Sequence, residues 1–93
     1  MKSFVINGND FTTKEMVHKI LKETLELPSY YGENLDALWD CLTTEIEVPI
    51  KIIWNNFDKS KKYLGDYCNA LLNTLQEASI YLNGDLILEV NNK

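Results

Sequence analysis

The sequence predicts a single α/β domain over residues 1–93, with a small three-stranded parallel sheet packed with about four helices. Three short runs rich in β-branched or apolar residues, at 3–6, 50–54 and 86–90, alternate with two long stretches of helical periodicity. Each connection is long enough for a crossover, which favours parallel strands and right-handed connections. A chain of 93 residues that is 45% hydrophobic can form one modest core but not two.

The N-terminal part of the sequence predicts one strand and one helix. The strand at 3–6 ends in the turn-forming residues 7–10. Thr12 and Glu15 lie three residues apart and have the form of a capping box that would begin the helix. The apolar residues of this helix recur at helical spacing: Met16, Val17, Ile20, Leu21 and Leu25. The helix should end before Pro28, because the residue preceding a proline avoids helical backbone angles.

The C-terminal part predicts a strand, two helices and a final strand. Pro49 fits the beginning of the strand at 50–54. A short polar helix is expected at 58–62, and a longer one should follow it. The apolar residues of the longer helix recur at helical spacing: Tyr67, Cys68, Leu71, Leu72, Leu75 and Ala78. The turn residues 83–85 then separate it from the strand at 86–90.

The negative charge of the chain is concentrated in one interval. The formal net charge is −5, there is no Arg, and no Lys occurs between Lys22 and Lys51. That interval holds seven carboxylates: Glu23, Glu26, Glu33, Asp36, Asp40, Glu45 and Glu47. The remainder has seven acidic residues against nine lysines. This distribution argues against nucleic-acid binding there and favours a cationic partner, with a merely solvated acidic surface as the alternative.

Cysteine usage and the absence of targeting signals predict a cytoplasmic protein that does not bind membranes. Cys41 and Cys68 lie far apart among apolar neighbours, so we expect buried, reduced thiols, with a disulfide as the less favoured alternative. No N-terminal signal peptide and no apolar run near the roughly 20 residues that span a bilayer can be recognised. His18 is expected to be a packing or surface residue of the first helix. No metal or other cofactor is expected, because zinc would need more ligands than these three residues supply.

The segment YYGENLDALWDCLT, residues 30–43, is the most informative part of the sequence. Asn34 is a good N-cap for a helix that follows it. At 100° per residue, two sets of side chains separate: Leu35, Leu38, Cys41 and Leu42 toward the core, and Asp36, Asp40, Thr43 and Thr44 toward solvent. Trp39 falls on the border between them. Like charges four residues apart destabilise a helix by roughly 0.2–0.5 kcal/mol, and such local penalties are typical of functional segments.

Three kinds of function could use this pair of carboxylates. Glycoside hydrolysis requires carboxyl groups on opposite sides of a substrate, which two residues on one convex helical face cannot provide, so we do not expect an enzyme. A divalent metal held by Asp36, Asp40 and a neighbouring Glu stays open, although an EF-hand spacing is lacking. Presentation of carboxylates and aromatic rings to a basic protein surface accounts for most of the pattern.

The segment 30–43 resembles the signature of the barstar family, intracellular inhibitors of the ribonuclease barnase. Shorter similarities occur at 5–8 (VING), 27–28 (LP), 54–57 (Trp and Phe) and 77–78 (EA), so the resemblance extends over nearly the whole chain. It implies a three-stranded parallel sheet surrounded by helices. It also implies inhibition of a basic, barnase-like ribonuclease in a one-to-one heterodimer, by occlusion of the active site.

The resemblance also implies which residues would contact the ribonuclease: Tyr30, Tyr31, Asn34, Leu35, Asp36, Trp39, Asp40, Thr43 and Glu77. Thr44 and Glu47, which follow the matching run, are further candidate contacts. Asp40 would be the central carboxylate, entering the cationic pocket where the enzyme holds an RNA phosphate. The chain departs from the family pattern after Thr43, where Thr44 and Glu45 replace Gly and Trp. An aromatic contact is lost and a negative charge is gained, which bears on the identity of the ribonuclease. The alternative is a barstar-like fold used as an adaptor for another basic protein.

Overall fold

The structure, a computed structural model, describes residues 1–93 and has the predicted α/β architecture. Its three strands are β1 (Lys2–Asn7), β2 (Ile50–Asn55) and β3 (Leu86–Val90). They form one sheet in the order β1-β2-β3, and both pairs are parallel. Each predicted strand is therefore confirmed to within one residue at either end.

The connections between strands contain four α-helices, as predicted: α1 (Lys14–Thr24), α2 (Leu35–Asp40), α3 (Phe57–Leu64) and α4 (Asp66–Tyr81). Helix α2 continues directly into a π-helical segment, Cys41–Glu45, and a short 3₁₀ turn, Gly8–Asp10, follows β1. None of the helices combines the length and the apolar character needed to cross a membrane. In a sheet of this order, crossovers of the usual right hand put all the helices on one face.

The two faces of the sheet differ in burial, in agreement with that arrangement. The helix-covered face supplies buried residues to the core: Ile6, Ile50, Ile52, Trp54 and Leu86. On the other face Val5 is 54% exposed and Ile87 is 42% exposed. The same face carries an ion pair between Lys51 and Glu89 at 3.0 Å. Parallel sheets are usually covered on both faces, so this open face is unusual.

The beginning of α1 differs from the prediction. Thr13, and not Thr12, is the N-cap, and its Oγ1 accepts a hydrogen bond from the Met16 backbone N–H at 3.1 Å. The predicted capping box is therefore wrong. A capping box from Thr13 would need a carboxylate or amide at position 16, which a methionine does not have, while Glu15 lies one position too early.

The end of α1 is fixed by a Schellman motif just before Pro28. Glu26 has a left-handed backbone with φ of 54°. The Leu27 backbone N–H then reaches back to the carbonyl of Lys22 at 2.9 Å. The helix therefore ends before the proline, as predicted.

A tightly packed group, here called the Trp54 corner, joins the carboxyl end of the sheet to α3 and consists of Gly8, Trp54, Asn56 and Ser60. The Trp54 indole Nε1–H donates to Ser60 Oγ at 2.9 Å, and both residues are fully buried. A Cβ atom on Gly8 would lie 2.0 Å from the Asn56 carbonyl oxygen and 2.3 Å from Ser60 Oγ. Only glycine fits this position, because both neighbours are held in place.

The two cysteines are buried and unbridged, as expected from the sequence. Cys41 begins the π-helical segment, and Cys68 lies in the first turn of α4. Burial raises the pKa of both thiols. They therefore behave as small apolar core residues.

Candidate functional site

The loop that leads into α2 is held in one conformation by Asn34. Its side-chain oxygen accepts from the Ala37 backbone N–H at 2.8 Å, which confirms the predicted N-cap. The Asn34 amide group also donates to the Gly32 carbonyl at 3.3 Å. Between them Glu33 has a φ of 54°, a left-handed value that is uncommon for a residue with a side chain. Such backbone strain persists only where the surroundings fix it, and it is concentrated at functional segments.

Helix α2 is oriented as its sequence predicts. Leu38, Cys41 and Leu42 are buried beneath it, and Leu35 is half-buried. Asp36 and Asp40 are exposed on the opposite side, one turn apart. The helix therefore uses its apolar side for the core and turns both carboxylates toward solvent.

The carboxylates of α2 have no counter-charge within the protein. The chain contains two ion pairs, Lys2–Glu26 and Lys51–Glu89, and neither includes a residue of α2. Unpaired carboxylates on a helix in an Arg-free and Lys-free interval produce a negative field at this surface. A cationic partner can therefore approach these carboxylates without displacing a cation of the chain itself.

A shallow cleft separates Asp40 from the loop before α2. Tyr30 of the loop lines the cleft, together with Asp40, Thr44 and Glu45. Tyr30 is 72% exposed, and the neighbouring Glu45 carboxylate raises the pKa of its hydroxyl. Glu45 thus adds a second carboxylate to the cleft that Asp40 lines.

Tyr31, in contrast to Tyr30, is buried below the surface. Its hydroxyl lies 2.5 Å from Nδ1 of His18, and Nε2 of His18 lies 2.5 Å from the hydroxyl of Tyr67. The resemblance implied Tyr31 as a contact residue, but only 5% of it is exposed. Its position makes it a support for the loop, which it attaches to α1 and α4.

His18 is a buried packing residue with two hydrogen-bond partners that the sequence did not reveal. Burial lowers its pKa, although the carboxylates of Glu33 and Glu15 act in the opposite direction. Burial also raises the pKa of both tyrosines. A neutral imidazole donates through one nitrogen and accepts through the other, so it suits two hydroxyl partners.

The π-helical segment fixes the backbone directly after α2. The hydroxyl of Thr43 donates to the Trp39 carbonyl at 2.8 Å, and that of Thr44 donates to the Asp40 carbonyl at 2.5 Å. Thr43 is half-buried, whereas Thr44 is exposed. The side chain of Thr44 therefore restrains the backbone of Asp40. Segments of π-helix occur frequently at functional sites.

Trp39 connects α2 to α4. It is half-buried, as its border position predicted, and its ring lies 5.4 Å from that of Tyr81 at an interplanar angle of 63°. Glu77, one turn before Tyr81 on α4, is exposed and accepts a hydrogen bond from the Asn73 amide at 3.3 Å. Glu77 is among the contact residues predicted from the sequence, whereas Tyr81, four residues later, is not.

The structure brings most of the predicted contact residues to one surface, formed by the loop, α2, the π-helical segment and α4. The exposed members are Tyr30, Asn34, Asp36, Asp40, Thr44 and Glu77. Glu47 is also exposed, but it follows the π-helical segment and lines a different cleft, together with Lys2 and Glu26. Leu35, Trp39 and Thr43 are half-buried, and Tyr31 is buried. No three His, Cys, Asp or Glu side chains are close enough together to hold a metal ion, so the metal site considered for Asp36 and Asp40 is not formed.

Comparison with known proteins places the chain beside a protein family and a curated relative. A family model described as "Barstar (barnase inhibitor)" matches residues 1–89. A protein of Bacillus subtilis (strain 168), named "Putative ribonuclease inhibitor YrdF", is 45% identical over 78 residues, which cover 84% of this chain and 86% of that protein. The range matched by the family model includes every predicted contact residue, from Tyr30 to Glu77.

Proposed function

The chain belongs to the barstar family, and from this membership we propose that it is a ribonuclease inhibitor and not an enzyme. It binds a small basic ribonuclease one-to-one and covers the active site with α2 and the loop before it. The observation that carries this mechanism is the pair of exposed, unpaired carboxylates, Asp36 and Asp40, on a helix fixed at both ends.

Asp40 takes the place of an RNA phosphate in this mechanism. A ribonuclease that binds phosphate must direct several cationic donors to one anion. A compact carboxylate that enters such a pocket receives charge-assisted hydrogen bonds, which are shorter and stronger than neutral ones. Asp40 is suited to this role because it is exposed, lies beside Tyr30 and Trp39, and has no competing cation in its own chain.

The charge of the whole surface supports the encounter with a basic enzyme. The net charge is −5, and half of the acidic residues lie in the interval that contains α2. A surface of one sign attracts a partner of the other sign before contact and so increases the association rate. This contribution should decrease as salt screens the charges.

The surface is largely organised before the partner arrives. Asn34 fixes the beginning of α2, Thr44 restrains its end, and Tyr31 holds the loop through His18. Groups that are already ordered lose less conformational entropy on association, so more of the contact energy is available as affinity. We place this inhibition in the cytoplasm, where two free buried thiols remain reduced.

The direct test is a titration of the purified protein against barnase and other small basic ribonucleases, with RNA cleavage as the readout. We expect inhibition to be complete at one inhibitor per enzyme, and the protein alone to leave the RNA intact. The same ribonucleases should be retained by the immobilised protein at low salt. If none is inhibited, and none is recovered from cells that make the protein, the proposal is wrong.

An adaptor function for another basic protein is the second candidate. It is favoured by the cleft beside Asp40, where Glu45 stands in place of an aromatic residue of the family pattern. In that case the immobilised protein would retain a basic protein that does not cleave RNA. The two candidates are separated by assaying the retained protein for ribonuclease activity.

A further inference from the structure

The face of the sheet that lies opposite the helices, here called the open face, is separate from the surface around α2. Alternate residues of the three strands form its centre: Ser3, Val5, Lys51, Ile53, Ile87 and Glu89. Val5 and Ile87 are exposed, and Ile53 of the central strand is half-buried. Because parallel sheets are normally covered on both faces, these apolar side chains are available for another molecule to cover.

The charges on the open face cancel each other. Lys51 and Glu89 are its only charged side chains among these strand residues, and they pair at 3.0 Å across neighbouring strands. The net charge of the whole chain is −5, so two copies repel each other over most of their surface. This repulsion is weakest at the open face, which carries one positive and one negative group.

We propose that the open face binds a second copy of this chain, so that the protein forms a two-fold symmetric dimer through its sheet. A two-fold interface joins the same patch on both copies, so the patch must be complementary to itself. A patch with one cation and one anion meets this condition. Lys51 of each copy then contacts Glu89 of the other, in addition to the Glu89 of its own chain. The inference does not depend on ribonuclease inhibition.

The register of the strands places apolar residues where such a dimer needs them. Lys51 lies beside Ile87 in one row across the sheet, and Ile53 lies beside Glu89 in the next row. With strands about 4.8 Å apart and rows about 6.7 Å apart, Lys51 and Glu89 are diagonal neighbours. A two-fold axis that exchanges their positions runs across the face close to Ile53 and Ile87. Each isoleucine then packs on the same residue of the second copy, with the strands crossing steeply, as in orthogonal sheet packing.

The cost of covering the charged pair is limited. The side chains of Lys51 and Glu89 are 33% and 44% exposed, so part of their hydration is already lost on folding. Each gains a second opposite charge in the dimer, which offsets the remaining desolvation. The face is nevertheless smaller than a typical stable interface, so we expect a weak dimer with a Kd of roughly 0.1 mM. The dimer leaves both α2 surfaces free, because the helices lie on the opposite face of each sheet.

Sedimentation equilibrium of the unmodified protein and of two charge-reversed variants tests the proposal. Lys51→Glu gives the open face two carboxylates, and Glu89→Lys gives it two ammonium groups. Each variant alone should dimerise at least about tenfold more weakly, because like charges then meet across the axis. A one-to-one mixture of the two variants should associate again, at least as tightly as unmodified copies, because every contact across the axis then joins opposite charges.

Lys62→Glu and Glu23→Lys are the matched controls, since they make the same changes of charge on exposed residues of α3 and α1. Their dimers should weaken or strengthen by less than about threefold. Circular dichroism should show all four variants folded, because a surface ion pair contributes little to stability.

Two results would overturn the inference. An unmodified protein that stays monomeric up to about 1 mM would leave the open face to a different protein. A dimer that persists in both Lys51→Glu and Glu89→Lys, or a mixture of the two that does not associate, would mean that the copies meet through another surface. Neither result bears on ribonuclease inhibition, which is measured separately by the titration against RNA cleavage.

Discussion

The Trp54 corner and the surface of α2 differ in whether their polar groups have partners within the protein. In the corner, Trp54 is fully buried and its only polar group is bonded to Ser60. On α2, Trp39 is half-buried, and the carboxylates of Asp36 and Asp40 have no partner in the protein. One region uses its polar groups for stability, and the other leaves them available to another molecule. Substitutions should therefore affect the free energy of unfolding in the first region and the free energy of binding in the second.

Asp40→Ala should produce the largest effect, and on binding alone. Truncation leaves the partner's cations buried without a counter-charge, so we expect a loss of about 2–5 kcal/mol in the free energy of binding, mostly through faster dissociation. This general range already includes measurements on the barnase complex. The free energy of unfolding should change by less than about 0.5 kcal/mol, because the substitution relieves repulsion with Asp36. Both rate constants and a denaturant titration provide the measurement.

Glu26→Gln is the control for this variant. Glu26 lies in the acidic interval but outside the contact surface, where it pairs with Lys2 at 3.4 Å. It should alter the association rate and its salt dependence and leave dissociation almost unchanged. Similar small losses from both variants would mean that diffuse charge alone guides binding.

Gly8→Ala should produce the largest effect on folding. The new methyl group would overlap the Asn56 carbonyl oxygen and Ser60 Oγ, so the corner would have to open, at a cost of about 3 kcal/mol in the free energy of unfolding. Gly32→Ala is the matched control, because its Cβ would approach only side-chain atoms, Ala37 Cβ at 3.3 Å and Asn34 Nδ2 at 3.5 Å. It should cost less than about 1 kcal/mol. Urea denaturation measures both, and equal losses would contradict the packing described for the corner.

Ser60→Ala and Trp39→Phe extend the comparison to the two tryptophans. Ser60→Ala leaves the buried Trp54 indole N–H without an acceptor and should cost about 1–3 kcal/mol of stability. Trp39→Phe should cost less than about 1.5 kcal/mol, because a smaller ring can still pack against Tyr81. Denaturant midpoints report the two values. A stability loss from Trp39→Phe as large as that from Ser60→Ala would show that packing at α2 contributes as much to stability as the corner does.

The stability of the protein should depend on pH because the imidazole of His18 is buried beneath the loop. Folding lowers the pKa of His18 below 6.5, so between the folded-state pKa and pH 6.5 the unfolded state binds more protons than the folded state. The contribution of His18 to the free energy of unfolding should therefore be fully present above pH 6.5. It should be lost as the pH is lowered through the folded-state pKa. Urea titrations between pH 7.5 and pH 5 test the sign. His18→Gln, which keeps a donor and an acceptor, should flatten the dependence, whereas an unchanged dependence would assign it to other groups.

The features that the sequence predicted correctly depend on neighbours a few residues apart. The strands, the Asn34 cap and the orientation of Leu38 and Leu42 follow from local spacing and hydrogen bonds across one helical turn. The cap of α1 was placed one residue early because Thr12 and Thr13 are both capable of capping. Which of the two becomes the N-cap depends on where the turn after β1 ends, at Phe11.

The features that were missed depend on residues far apart in the chain. The two partners of His18 are 13 and 49 positions away, so its environment exists only after α1, the loop and α4 have packed together. The contact between Tyr81 and Trp39 also joins residues far apart in the chain, and no local motif predicts it. Tyr31 was named as a contact residue because the resemblance implies it, whereas its burial follows from the contact of its hydroxyl with His18. Helical periodicity cannot describe a loop, and so it could not separate the two tyrosines.

The two buried thiols can report how this molecule opens. Cys41 lies beneath α2, where the binding surface is built, and Cys68 lies in α4, within the core. Because both thiols are buried and burial raises their pKa, a thiol reagent should react slowly with either residue, and faster once the chain around it has moved. The ratio of their labelling rates therefore separates motion of the acidic helix from unfolding of the whole chain. A bound ribonuclease should slow the labelling of Cys41 by a larger factor than the labelling of Cys68, which reports the gain in global stability.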